Sequence, residues 1–148
     1  IIFRFSQWKT GHYDAKLART PVELEDFLTP LTEAGVDIFD CSTRRFWEPE
    51  FEGSRLNLAG WTKKLTGKPA ISVGSVGLNR EFTNVFDGGP EAETASIEPL
   101  VERMQAGEFD LIAVGRALLA DAEGAQKIHH SREKEIRQFT KEALQSLS

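Results

Sequence analysis

"KPAISVGSVG" (68–77) decides the fold. A short apolar run, Ala70 to Val73, stops abruptly in Gly74-Ser75-Val76-Gly77. Further on, "LIAVGRALLAD" (111–121) repeats the plan: an apolar run, Gly115, Arg116, then a helical pattern. Apolar runs of this kind, without polar alternation, suit strands of a parallel sheet covered by helices. A glycine at each end lets backbone N–H groups approach an anion without an intervening Cβ. Successive N–H groups form a nest, and a helix start and an arginine favour phosphate. Either glycine alone is explained as an ordinary strand end. The two together, in this order and followed by Arg116, point to one anion site built from both turns.

Outward from these turns the chain alternates strand and helix. "IIFRF" (1–5) reads as a strand. "TPVELEDFLTPLTEAG" (20–35) reads as a helix, with Thr20 as cap, Pro21 in the first position, and Glu23 three after the cap. Leu24, Phe27, Leu28 and Leu31 form its apolar face, Pro30 is expected to kink it, and Gly35 ends it. "VDIFDCS" (36–42) is a second strand, followed by a polar loop over 43–54 and a helix over 55–66 that stops at Gly67. The third strand is read over 69–77, a long loop over 78–93, a helix over 96–107, and a fourth strand over 109–115. A short helix begins at Arg116, and 124–146 reads as one longer charged helix. Helix-sized crossovers imply parallel pairing. Four βα units fit an open doubly wound sheet, or half of a (β/α)8 barrel, which needs eight units.

The bulk properties exclude several classes. The 148 residues carry 18 Lys and Arg against 23 Asp and Glu, a formal charge of −5, which argues against a nucleic-acid surface or a polybasic membrane anchor. Apolar runs are too short for a membrane-spanning helix. Cys41 is the single cysteine, so no intrachain disulfide forms, in keeping with a reducing, cytoplasmic compartment. The start "IIFRFSQW" lacks Met and a basic n-region and reads as the middle of a longer polypeptide.

Other residues are candidates for chemistry. Arg4 sits in the apolar "FRF" and must either pair across strands or face a wet, anionic ligand. Phe46 and Trp47, in the loop after the second strand, either line a pocket or clasp neighbouring surface. His12, His129 and His130 have no metal-ligand spacing with Cys41 or with paired carboxylates, and the two adjacent histidines read as a solvated face. Cys41 reads as a small buried residue rather than a nucleophile. The run 131–142 reads as an exposed face with pairing such as Glu133 to Arg137.

Taken together, "IIFRFSQWK", "AGVDIFDCSTRRFWEPEF", "KPAISVGSVG" and "GEFDLIAVGRALLAD" resemble the C-terminal half of the Old Yellow Enzyme family, FMN-dependent NAD(P)H:flavin oxidoreductases and ene-reductases. The resemblance runs from Ile1 to about Lys127, and its most specific part is the pair of glycine turns with Arg4 upstream. It implies the C-terminal half of a (β/α)8 TIM barrel over 1–121, with 122–148 as a helical extension. It implies that Arg4 contacts the flavin near N1 and O2, where reduced flavin is anionic. It implies that Val73, Gly74, Ser75, Gly115 and Arg116 contact the FMN phosphate and ribityl chain, and that Phe46 and Trp47 border the substrate. NAD(P)H is the implied electron donor and an activated alkene the substrate. The pair that grips the alkene's activating oxygen, and the proton donor, lie upstream of the strand holding Ile1 to Phe5. No catalytic acid and no metal site is therefore expected in this chain.

"DAEGAQ" (121–126) departs from the family, with Ala122 and Gly124 where Pro and a large aromatic are common. The isolated chain is expected to bind FMN without turning over alkene. Its apolar edge strands should pair with a missing N-terminal half-barrel or with another copy. The rival readings are a non-catalytic phosphate-ligand or flavin-binding module on an open sheet, and a structural fragment that binds nothing.

Overall fold

The structure is a computed structural model that describes residues 1–9, 11–12, 14–80 and 92–145. Four strands, β1 (Ile2–Ser6), β2 (Ile38–Ser42), β3 (Ala70–Val73) and β4 (Leu111–Ile112), form one sheet in the order β1-β2-β3-β4. All three pairings are parallel. The helices are α1 (Pro21–Glu33), α2 (Leu58–Thr66), α3 (Glu98–Gln105), α4 (Arg116–Ala120) and α5 (Gly124–His129). By packing, the chain forms two compact units: residues 1–74 with 99–113, and residues 75–98 with 114–148. The boundary read from sequence, at 121/122, falls inside the second unit.

The first unit holds the sheet. On one face Phe3 and Phe5 meet both Phe39 and, from α1, Phe27, in a cluster of rings whose centroids lie 5.6 to 6.5 Å apart. Phe39, Leu24 and Leu28 are fully buried, each stabilising the fold by ~1.5–3 kcal/mol. The caps form as their residues dictate. Thr20 Oγ1 accepts the Glu23 N–H at 3.2 Å, and the Glu23 carboxylate accepts the Arg19 N–H at 2.7 Å. The helix runs on through Pro30 to Glu33, and the Pro30 carbonyl accepts the Ala34 N–H. α2 begins at Leu58 rather than 55 because Asn57 caps it, and it ends at Gly67 in the left-handed conformation, φ 67°.

The opposite face of the sheet carries rows set by register. Arg4 stands beside Asp40, Asp40 beside Ile71, and Ile71 beside Leu111. The adjoining rows are Ile2 with Ile38, and Ser6 with Ser42 and Val73. Ile2 and Leu111, on the two edge strands, are 62% and 46% exposed.

Several elements are shorter than expected. The third strand ends at Val73, because Gly74 turns the chain at φ 148°. The fourth is two residues, not seven. Phe109 is buried in the core, and the Asp110 carboxylate is occupied by Lys63 Nζ at 2.8 Å and the Ala70 N–H at 3.1 Å. Ladder-type bonds still flank it, from Asp110 N–H to Ala70 O and from Ala113 N–H to Ser72 O. The helix expected over 96–107 spans Glu98–Gln105; Leu100 is buried, whereas Met104 is 37% exposed. Of the loop expected over 78–93, residues 81–91 lie outside the described residues.

In the second unit the single helix expected over 124–146 is broken. α5 stops at His129, Ser131 takes a left-handed φ of 56°, and the chain continues in two 3-10 turns, Glu133–Glu135 and Lys141–Leu144. Asp121 explains the fold-back. Its buried carboxylate accepts Lys127 Nζ at 2.6 Å, the Arg137 N–H at 2.9 Å and the Glu123 N–H at 3.2 Å. The 131–142 run is thus not a uniform exposed face. Phe139 is buried with Leu78 and Ala92, against Ala117, Ala120, Ala143 and Leu144. Arg132 pairs with Glu135 rather than Glu133 with Arg137.

Candidate functional site

The C-terminal strand ends in the first unit are tied together by polar contacts. Val73 O accepts both the Thr43 N–H, at 3.0 Å, and Thr43 Oγ1, at 2.7 Å, and Gly74 O accepts the Phe46 N–H at 3.1 Å. A Cβ on Gly74 would lie 2.4 Å from Thr43 Oγ1 and 2.6 Å from Thr43 O. The glycine there is required by the close passage of the β2 exit, whatever else it serves.

Phe46 is buried, 4% exposed, edge-on to Trp47 at 5.1 Å. Its carbonyl accepts Asn57 Nδ2 at 2.8 Å and Arg103 Nη1 at 2.7 Å. Arg103 also binds the buried Glu108, which Arg55 grips from the other side. Of the two aromatics, then, Phe46 packs inward as an anchor of this loop, while Trp47 is 40% exposed. Beside the loop lies a cleft of about 130 Å³ at the ends of β1 and β2, lined by Gln7, Lys16, Ser42, Arg45, Glu48 and Glu50 among others. Glu50 Oε1 accepts Gln7 Nε2 at 2.8 Å and Lys16 Nζ at 2.7 Å. Gln7 is itself buried and exchanges hydrogen bonds with both backbone groups of Ala18.

Arg4 lies on the open sheet face, its side chain 59% exposed. Its Nη1 is 3.5 Å from Asp40 Oδ2, and its Nη2 is 3.5 Å from Ser42 Oγ. The two possibilities for this arginine meet here: it is paired across strands, and it still presents charge on the open face. Asp40, a residue the sequence reading did not single out, is only 14% exposed in its side chain, and its Oδ1 is buried with no hydrogen-bond donor among the described residues. Nothing in the run "IFDCS" distinguishes it except its register opposite Arg4. Cys41, next to it on the helix-covered face, is fully buried, and burial pushes its thiol pKa up to about 12. His129 and His130 are exposed, ring against ring at 5.0 Å. Among the described residues no group of three or more His, Cys, Asp or Glu could hold a metal ion. No helix among them is long and apolar enough to cross a membrane.

The second unit brings the two glycine turns together. Ser75 takes a left-handed φ of 51°, its carbonyl accepts the Leu78 N–H, and Gly77 follows at φ 71°. A Cβ on Gly77 would stand 3.5 Å from Ala117 Cβ, which places this turn against the start of α4. The Arg80 carbonyl joins them: it accepts Ser75 Oγ at 3.0 Å and Arg116 Nη2 at 2.7 Å. Arg116 also lies over the Phe139 ring at 5.6 Å, within cation–π range. At Gly115 an added Cβ would meet nothing within 4 Å among the described residues, so none of them crowds this backbone. A non-glycine residue held left-handed, an open backbone glycine and an immobilised guanidinium are fitting groups for a phosphate.

The fold has a solved counterpart. A 2.1 Å structure of histamine dehydrogenase from Rhizobium sp. 4-9 matches 91% of this chain with a TM-score of 0.54 and 22% sequence identity. The match covers 17% of that chain, so this protein spans about a sixth of its length. At that identity the likeness establishes the fold: an α/β arrangement on a parallel sheet. No protein-family model matches the chain, and no curated protein does.

Proposed function

We propose that the chain is the C-terminal half of a (β/α)8 barrel in an FMN-dependent NAD(P)H oxidoreductase, resembling the Old Yellow Enzyme family and acting on activated C=C bonds. The observation that carries this reading is the strand order. Four parallel strands neighbour one another in chain order, as successive barrel strands do. A doubly wound nucleotide-binding sheet reverses its order at a switch point, so the sequential order favours the half-barrel over an open-sheet module. The meeting of the two glycine turns in one unit supports the phosphate assignment.

When bound, FMN would supply the hydride chemistry between NAD(P)H and the alkene. The chain's own residues hold and tune it. Ser75, Gly115 and Arg116 bind the phosphate. Val73 and Gly74 set the turn, their carbonyls committed to Thr43 and Phe46. Arg4, held by Asp40 and Ser42, presents a fixed cation to the pyrimidine edge, where negative charge develops on reduction. Trp47 borders the substrate, while Phe46 fixes its loop. The proton donor and the groups that grip the alkene belong to the missing half. The exposed Ile2 and Leu111 on the edge strands are where that half, or a second copy, would pack. A reducing, cytoplasmic setting accords with the one buried thiol.

Titrating the 148-residue protein with FMN, followed by flavin fluorescence, tests the reading. Saturable binding weakened at least tenfold by Arg116→Ala is expected. No binding, or binding indifferent to that change, refutes it.

A further inference from the structure

We infer that Arg103 is a positioning residue for the loop that carries Trp47, and that it sets where this aromatic meets the ligand. The inference rests on the flavin reading above, in which Trp47 borders the substrate, and adds to it a residue to which neither glycine turn points. Arg103 lies in the last turn of α3, its side chain only 12% exposed. Its guanidinium reaches three separate segments. Nε donates to Glu108 Oε2 at 2.8 Å, Nη1 to the Phe46 carbonyl at 2.7 Å, and Nη2 to the Arg55 carbonyl at 2.8 Å. One rigid planar fork thus holds both ends of the loop from Phe46 to Arg55. Glu108, its side chain 6% exposed, fixes that fork through one oxygen and takes Arg55 Nε and Nη2 on the other.

Holding the Phe46 carbonyl matters for Trp47 because the two share one peptide unit. The bond joining them is planar and does not rotate, so the direction of the carbonyl sets the Trp47 N–H and Cα. Asn57 Nδ2 fastens the same carbonyl at 2.8 Å, and the Phe46 ring meets the Trp47 ring edge-on at 5.1 Å. Trp47 is therefore aimed by its backbone and its neighbour although it is 40% exposed. Glu48, Pro49 and Glu50, which line the cleft at the ends of β1 and β2, follow on the same held segment. Stability alone does not call for a guanidinium here. A buried ion pair holds a fold no better than well-packed apolar side chains of similar volume. What Arg103 adds is direction: three bonds to three segments, two of them the ends of one loop.

The test follows FMN emission and backbone hydrogen exchange in the whole 148-residue chain. An indole in contact with the flavin ring quenches its fluorescence. Bound FMN should therefore be at least twofold brighter in Trp47→Phe than in the parent. Arg103→Met keeps the apolar stem and removes the fork. It should brighten bound FMN to a similar extent, with an FMN dissociation constant within twofold of the parent's. The Phe46 and Glu50 amides should exchange about tenfold faster, while those of β2 keep their parent rates. Arg103→Lys, which keeps the charge but loses the fork, should fall between, and it carries the same measurements if Arg103→Met does not fold. Emission unchanged in Trp47→Phe, or exchange at Phe46 and Glu50 unchanged in the Arg103 variants, overturns the assignment. So does faster exchange that extends equally into β2, the mark of a merely structural role. FMN binding with emission indifferent to Arg103 removes this residue alone, whereas a parent chain that binds no FMN removes the flavin reading and this inference with it.

Discussion

Replacing Gly74 by Ala isolates the structural demand at the end of β3. Two costs combine. At φ 148° an L residue sits in a sparsely populated region, a strain of ~1–3 kcal/mol. The new Cβ would also meet Thr43 Oγ1 at 2.4 Å and Thr43 O at 2.6 Å, and one of these is backbone. Relief requires the β2 exit to move, which stretches the Thr43 and Phe46 bonds to Val73 and Gly74; overpacking of this sort adds ~1–3 kcal/mol. The expected loss is about 4 kcal/mol, a large share of the ~5–15 kcal/mol that holds a typical domain. Urea unfolding followed by tryptophan fluorescence measures it, with the slope checked for constancy. Thr43→Ala alone should cost about 1 kcal/mol for its lost hydrogen bond. Combined with Gly74→Ala it should recover only part of the loss, because the carbonyl clash and the φ strain remain. A Gly74→Ala protein within ~0.5 kcal/mol of the parent refutes the reasoning, and full recovery in the double variant refutes the backbone part of it.

Asn57→Ala should cost about 3 kcal/mol by chemical denaturation, since it removes the α2 cap and leaves Ser72 Oγ and the Gly60 N–H without their buried partner. Cys41 should stay unreactive to a thiol reagent in the native protein at pH 8 and react fully in denaturant, because its thiol is raised to about 12 by burial. Asp121 is held below its ordinary pKa of 3.8 by Lys127 and the Arg137 N–H. Its contribution to stability is therefore complete above 3.8 and lost as pH falls through the lowered value. Asp121→Asn should flatten that acid limb in a melting-temperature series from pH 2 to 6; an unchanged limb contradicts the assignment.

How much of this was legible in sequence depended on how local each cause was. Thr20, Pro21 and Glu23 mark the start of α1, and Gly67 the end of α2, because caps act within four residues. The apolar run before Gly74 and the apolar run before Gly115 were legible as strands for the same reason. The length of β4 was not, since it depends on Lys63 and Ala70 engaging Asp110, forty or more residues away in the chain. The terminal helix failed for a similar cause: helix-favouring composition over 124–146 is overruled by Asp121 capturing the Arg137 N–H and by burial of Phe139. In the candidate site the glycines and Arg116 carried a recognisable spacing. Asp40 and Asn57 did not, because their significance arises from partners that only the folded chain brings near.

The latch between Thr43 and the end of β3 also divides the loop after β2 into a part that is committed and a part that is not. Thr43 and Phe46 are bonded to β3's exit, and the Glu50 N–H to Leu56 O bond closes the loop's base. Phe51 is packed edge-on against Trp61. Between them Glu52 and Gly53 are exposed, and a Cβ on Gly53 would touch none of the described residues. Extra residues can be spliced in at 52–53 without disturbing either anchor. That makes this tip the natural entry point for grafting a binding peptide, or for opening the chain into new termini.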